Sequence, residues 1–461
     1  MGLHRQHDVR RLSSVKGISR TSQAVVFLCA VGIILLSFGW YVSTHGSVFS
    51  PPQEWQVHHW DDADYRYLAE HFFGVRHDFQ TYGEEFAGRW GEYLTAVPFR
   101  DIGVGTAYLA LKFFSGSSVD ILLPLLMKIA LGASYLLFFA AMYKRYGPIV
   151  AVISLSVLCF VFPQWQLTNK LLPEPFLRLF FLLYFSMLLW SGRKGETSLL
   201  IGTFLFSLMI VQFKAQWMFY GGLILLAFVW INLWRHELKK ACMVIALIIL
   251  LPLSLSAVHW IGWGSLSPVS GTGLHALWRT GNANLTYACD HQLFRNTPPR
   301  VCEGDIRFGS WSDFMHAQYS GQNLRQLSED LDAASNQYYL TVPTELLRHF
   351  WEGIVLAAPF PDVSPLFGGI MQAVFWIVAA VLIGGLVYAK TAFLAWAGLS
   401  LWIVPAIGNV LATYDGRYHR PMAGIPIVIA FLIAVQLYPP LSSRVRRMLY
   451  ILRARRPAVA H

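Results

Sequence analysis

Ten mostly apolar stretches recur along the chain, near positions 22–43, 119–142, 147–163, 175–191, 197–213, 218–234, 241–258, 367–388, 391–411 and 421–438. Each runs for about 17 to 25 residues, the length a helix rising 1.5 Å per residue needs to cross a hydrocarbon core. The pattern predicts an all-α polytopic membrane protein with about ten transmembrane helices. The first stretch follows Arg5, Arg10, Arg11, Lys16 and Arg20, as in a signal peptide. Its apolar core is too long, and no small-x-small cleavage site follows, so an uncleaved signal anchor is expected.

An eleventh stretch, Tyr93 to Phe114, is moderately apolar but contains Arg100, Asp101 and several glycines. Basic residues arbitrate, because cytoplasmic loops of membrane proteins are enriched in Lys and Arg. If this stretch does not span, the N-terminus, Lys144-Arg145, Arg193-Lys194, the run Arg235 to Lys240, Lys390 and the arginine-rich tail from Arg444 all share the cytoplasmic side. If it spans, all but the N-terminus move outside. The first arrangement is expected, with Tyr93 to Phe114 lying along the outer face as an amphipathic or re-entrant helix.

The resulting organisation is a basic cytoplasmic N-terminus (1–21), a transmembrane module (22–258) with an outer loop at 44–118, a large extracytoplasmic loop (259–366), C-terminal transmembrane helices (367–438) and a basic cytoplasmic tail (439–461). Shorter outer turns carry Asn169 to Glu174, Lys214 to Trp217 and Tyr414 to Arg420.

Composition sharpens this picture. Of 461 residues 55% are hydrophobic and only 13% charged, with mean hydropathy +0.46; soluble domains carry roughly 25% charged residues. That excludes a disordered chain, a nucleic-acid-binding arm and an ordinary cytosolic enzyme. The net charge of +10 is mostly cytoplasmic anchoring rather than a site for an anionic partner. Cys29, Cys159 and Cys242 lie in apolar runs and read as small core residues. Cys289 and Cys302 flank Pro298-Pro299 in the large outer loop; in an oxidising compartment either a disulfide or two thiols fits. No Walker loop, dinucleotide fingerprint, zinc spacing or heptad repeat occurs.

Candidate chemistry gathers at the outer face. The run His58-His59-Trp60-Asp61-Asp62-Ala63-Asp64-Tyr65 places three carboxylates within four residues. Their mutual repulsion calls for protonation, a cation or a basic substrate; a solvated loop whose Asp61 or Asp62 caps a following helix also accounts for it. Lys170 and Glu174 (in NKLLPEP), Lys214 (in VQFKAQW), and Arg417 and Arg420 (in YDGRYHRP) reach the same face, where each alone reads as an interfacial anchor. Lys128 lies inside the second span and is expected to face the bundle interior. Together these carboxylates and cations suit a lipid phosphate and a group to be deprotonated.

The run WDDADYRYLAEHFFG (60–74) resembles the first-loop signature of polytopic glycosyltransferases of the GT-C type, with an N-terminal membrane region of the ArnT/PMT kind. GVGTAYLALKFFSGSSVDILLPLLMKIALGASYLLFFAAMYKRYG is similar to the family's juxtamembrane helix, second span and basic inner turn. NKLLPEPFLRLFFLLYFSMLLW, VQFKAQW and GRYHRPMAGIPIVIA resemble, in order, the second acidic loop, the span ending in lysine and the late Arg-Tyr-x-x-Pro segment. The resemblance covers 20 to about 235 and 405–438; the loop at 259–366 has no match. The chain is short for the family, with no large soluble C-terminal domain such as some members carry, and Asp62 stands where many members have glutamate.

What the resemblance implies is a GT-C-like bundle performing inverting sugar transfer on the extracytoplasmic side. The donor would be a polyprenyl-phosphate sugar and the acceptor a glycan, lipid or protein. Asp61 would be the general base, with Asp62 or Asp64 orienting it or holding a cation. Glu174 would face the same cavity. Lys214 and Arg417, with Lys170 nearby and Tyr418 adding a hydrogen bond, would neutralise the departing lipid phosphate. Members with and without a metal exist, so a divalent cation on Asp61, Asp62 and Glu174 is left open. Two alternatives use the same phosphate chemistry. A flippase or transporter of lipid-linked sugars would be expected to show internal repeats, and none is evident. A polysaccharide polymerase or ligase would lean on Arg279, His275 or His291.

Overall fold

The structure, a computed structural model, describes residues 20–45, 102–162, 164, 165, 168, 171–190, 196–263, 337, 340–356, 368–388, 391–411 and 422–438. Its helices are α1 (Arg20–His45), α2 (Ile102–Ser115), α3 (Val119–Tyr146), α4 (Pro148–Ser156, continued by a π-turn Val157–Val161), α5 (Pro173–Trp190), α6 (Glu196–Phe213), α7 (Met218–Trp234), α8 (Leu238–Trp263), α9 (Pro343–Leu356), α10 (Gly368–Leu386), α11 (Ala392–Leu411) and α12 (Ile425–Tyr438). Every one of the ten apolar stretches is a helix, and no strand occurs among the described residues. Five segments are long and apolar enough to cross a membrane: Thr21–Thr44, Ile102–Tyr146, Pro173–Trp190, Ala215–Trp234 and Leu238–Trp260, with shorter apolar helices beside them. The chain is a helical polytopic membrane protein.

Helical periodicity decides what each span buries. On α1, Ala30, Ile34, Ser37 and Tyr41 are buried while Leu28, Leu35 and Leu36 are exposed, a stripe at the three-to-four-residue spacing of one helix face. That stripe packs on α3 and α4, with Phe27 edge-on to Phe139 at 5.6 Å and Phe38 to Trp165 at 5.2 Å. The outward Leu, Ile and Phe side chains form an apolar exterior that water would penalise and lipid does not. Cys159 is buried as expected; Cys29 and Cys242 instead lie on the exposed sides of their helices, because an apolar run marks a span without saying which of its faces points inward.

α5 is the central helix. Of its spanning window 72% is buried, against 22% for α1 and for α8. It packs on α3 and α6, while α7 packs on α6, α8 and α11. The expected helix within Tyr93 to Phe114 is present as α2; positions 93–101 lie outside the described residues. It turns at Gly116, whose φ is +58°, and its start is pressed against the end of α6. A Cβ on Gly103 would lie 2.6 Å from the Gln212 carbonyl oxygen. Within the expected large loop, α9 packs on α11, burying His349 and exposing Leu347 and Trp351.

Contacts between helix ends sort the loops. Lys144 sits over the Trp190 ring at 4.6 Å and Arg145 Nη1 donates to the Leu189 carbonyl at 3.5 Å, so the ends of α3 and α5 meet. Alternation along the bundle puts the basic turn Arg235 to Lys240 at that end too. The starts of α5, α7 and α12 and the ends of α4 and α6 gather at the opposite end, where Glu174 and Lys214 lie.

Candidate functional site

α5 begins Pro173-Glu174-Pro175. Proline at the first helical position has its φ already set and lacks an N–H that would have had no partner there. A carboxylate in the first turn is favoured by the helix dipole. Leu171 and Leu172, both buried, lead into this start and hold it inside the bundle. Glu174 is therefore only 2% exposed, although its position near a loop suggests an interfacial anchor.

Its partner comes from α6. That helix stops at Phe213; Lys214 is extended (φ −162°, ψ 109°) and a short 3₁₀ turn, Ala215–Trp217, carries the chain into α7. Trp217, fully buried, wedges this break in place against Phe181 at 4.8 Å. Phe213 stacks on Phe176 at 4.8 Å and lies 5.1 Å from Phe180. These rings clamp the end of α6 against the start of α5. The Lys214 ammonium Nζ thereby donates to Glu174 Oε1 at 3.1 Å, with the side chains 16% and 3% exposed.

The pair is nearly dry and has an apolar wall. Glu174 Oε2 is buried without a hydrogen-bond partner among the described residues, so one carboxylate oxygen holds the lysine and the other is an unmatched acceptor there. Leaving such an acceptor unmatched costs about 1–3 kcal/mol. Chemically, the arrangement fixes an ammonium at one end of the bundle and keeps a carboxylate oxygen for which no donor stands among the described residues.

Of the site residues read from sequence, the structure brings Glu174 and Lys214 together. Asp61, Asp62, Asp64, Lys170, Arg417 and Tyr418 lie outside the described residues. Lys128 is buried at 5% exposure, inward as expected. Among the described residues no group of three or more His, Cys, Asp or Glu is placed to hold a metal ion.

Among the buried polar residues that the sequence reading did not single out, Arg178 and Gln164 lie at this end. Arg178, one turn beyond Glu174 on α5, is fully buried. Its Nη1 donates to the Ala423 carbonyl at 2.6 Å and its Nη2 to the Tyr135 hydroxyl at 3.4 Å. The signal was available, since an arginine inside an apolar span is expected to face a polar partner. Gln164, between α4 and α5, is 1% exposed and neither polar atom of its side chain has a partner among the described residues. Beside it, Trp165 Nε1 donates to Ser37 Oγ at 3.0 Å, and Ser37 Oγ donates to the Cys159 carbonyl at 2.6 Å, tying α1 to this end of the bundle.

The chain matches no protein-family model and no curated protein in sequence. Among solved structures it is similar to the archaeal oligosaccharyltransferase AglB from Archaeoglobus fulgidus, described in complex with an inhibitory peptide and a dolichol-phosphate. The TM-score is 0.41 at 14% identity, over 95% of this chain and 52% of that one. The chain thus spans about half the length of that protein.

Proposed function

We propose that the protein is a membrane glycosyltransferase of the GT-C-like kind, transferring a sugar from a polyprenyl-phosphate donor to a glycan, lipid or protein acceptor. The carrying observation is the Glu174–Lys214 pair, an ammonium held by a buried carboxylate at one end of a bundle of membrane-spanning helices. The distribution of basic loops supports the extracytoplasmic side for that end. It also supports the division into a transmembrane module at 22–258, an outer loop at 44–118 and a large loop at 259–366.

In this reading Asp61 takes the proton of the acceptor hydroxyl as its oxygen attacks the anomeric carbon. The bond from that carbon to the phosphate oxygen breaks, and the electron pair leaves with the polyprenyl phosphate, inverting the configuration. Lys214 and Arg417 offset the charge gathering on the phosphate, with Lys170 and Tyr418 adding contacts, so stabilisation falls where charge develops. Glu174 orients Lys214. Asp62 or Asp64 orients that base or holds a cation.

The test is release of polyprenyl phosphate from a panel of synthetic polyprenyl-phosphate pentoses and hexoses by membranes containing the full chain. Release that is lost in Asp61→Asn, with insertion intact, is expected. Normal release by that variant overturns the base assignment. Failure of the wild type to bind polyprenyl phosphate in native mass spectrometry overturns the function.

A further inference from the structure

We infer that Arg178 is a positioning residue that pins the Met422–Gly424 turn to α5, and so fixes the point in the chain from which the segment carrying Arg417 and Tyr418 departs. This deepens the proposed function and rests on it for the role of Arg417.

A guanidinium buried in a spanning helix is a costly choice, and a leucine or methionine of similar volume would fill the space without desolvating a charge. What the arginine adds is direction. Its planar fork reaches two elements at once, the Ala423 carbonyl on one side and the Tyr135 hydroxyl of α3 on the other. Its guanidinium carbon also lies 5.8 Å from the Tyr135 ring centroid. Ala423 stands just before α12, and Gly424 follows with φ +78°, so the turn presents a carbonyl outside the helical ladder that must find a donor. Phe162, from the end of α4, covers the other side of the turn, with its ring where a Cβ on Gly424 would be. The turn is thus held from two directions by α5 and α4.

Sequence distance then links this anchor to the site. Glu174 and Arg178 are one helical turn apart, about 6 Å of rise. Arg417 stands six residues before Ala423, a reach of at most about 20 Å. Moving Ala423 moves the origin of that reach.

The experiment uses the full chain in detergent, as wild type, Arg178→Met, Arg178→Lys and Tyr135→Phe, with two readouts. The first is limited trypsinolysis after Arg417, a site read alone because Arg420 precedes Pro421, against cleavage in the Arg235–Lys240 turn at the other end. Arg178→Met is expected to speed cleavage after Arg417 about tenfold, the scale of a lost charge-assisted hydrogen bond, without changing the distant turn. Arg178→Lys, which keeps the charge and loses the fork, gives a smaller rise. The second is polyprenyl phosphate affinity, expected to weaken about tenfold in Arg178→Met. Unchanged cleavage after Arg417, equal acceleration at both ends, or wild-type affinity despite local loosening would each overturn the inference. If Arg178→Met does not fold, Arg178→Lys and Tyr135→Phe decide by the same criteria. Absence of lipid binding by the wild type itself would sink the proposed function, while local loosening would still establish the anchor.

Discussion

Lys214 Nζ donates to Glu174 Oε1 at 3.1 Å although the two residues stand 40 positions apart, one at the end of α6 and the other at the start of α5. Two charges out of water gain from each other only when both are present, and removing one strands its partner. The lysine therefore serves two ends: it compensates Glu174, and it sets a cation at that end of the bundle.

These two roles separate by substitution. Lys214→Met leaves the Glu174 carboxylate buried and is expected to destabilise the protein by about 3–5 kcal/mol. Adding Glu174→Gln removes the stranded charge and recovers most of that loss, yet polyprenyl phosphate binding stays impaired. Thermal unfolding and lipid binding on the two variants check this; recovery of binding together with stability would show that Lys214 acts only as a counter-ion.

Ser37 is a polar link between α1 and the bundle. Ser37→Ala removes its bond to the Cys159 carbonyl and leaves the Trp165 N–H with no acceptor, at an expected cost of about 1–3 kcal/mol. Leu36→Ala, one position away on the exposed side, should fall within about 0.5 kcal/mol of wild type. Equal effects in detergent unfolding would mean that α1 is held by its apolar face alone.

Run length and periodicity made the spans legible, since a segment of about 20 apolar residues has few other ways to satisfy its backbone. Lys128 was expected inside because a charge in a span needs the bundle interior, and it is there. Glu174 and Lys214 were assigned to one end correctly but as separate groups, because loop order gives the side of the membrane and not which helices are neighbours. The bond from Arg178 to Ala423 joins positions 245 apart and depends on a single turned carbonyl, which no local pattern encodes. The burial of Cys159 beside the exposure of Cys29 and Cys242 has the same origin: in a run apolar on every side, periodicity cannot say which face meets protein and which meets lipid.

Neighbouring glycines in α7 give opposite expectations. A Cβ on Gly221 would lie 2.6 Å from Ser207 Cβ and 3.1 Å from Leu251 Cδ1, whereas Gly222 has nothing within 4 Å. Gly221→Ala must push α6 or α8 away and should cost about 1–3 kcal/mol. Gly222→Ala adds a side chain in open space and stiffens the helix, for a gain of up to about 1 kcal/mol. Melting temperatures should move in opposite directions, and a shared direction would show that the α6–α7 approach is looser than described.

Gly424 should be the least replaceable glycine at the candidate end. Its φ of +78° disfavours any side chain, and a Cβ would lie 2.5 Å from Phe162 Cδ2. Gly424→Ala is expected to destabilise by about 2–4 kcal/mol, combining backbone strain with overpacking. A double-mutant cycle separates the two, because Phe162→Ala removes the ring while leaving the backbone strain. In the Phe162→Ala background the cost of Gly424→Ala should fall by about 1–3 kcal/mol, the size expected for coupled neighbours, with the remainder due to φ. An identical cost in both backgrounds would show that the ring plays no part, and that the turn beside Ala423 is glycine for its backbone conformation alone.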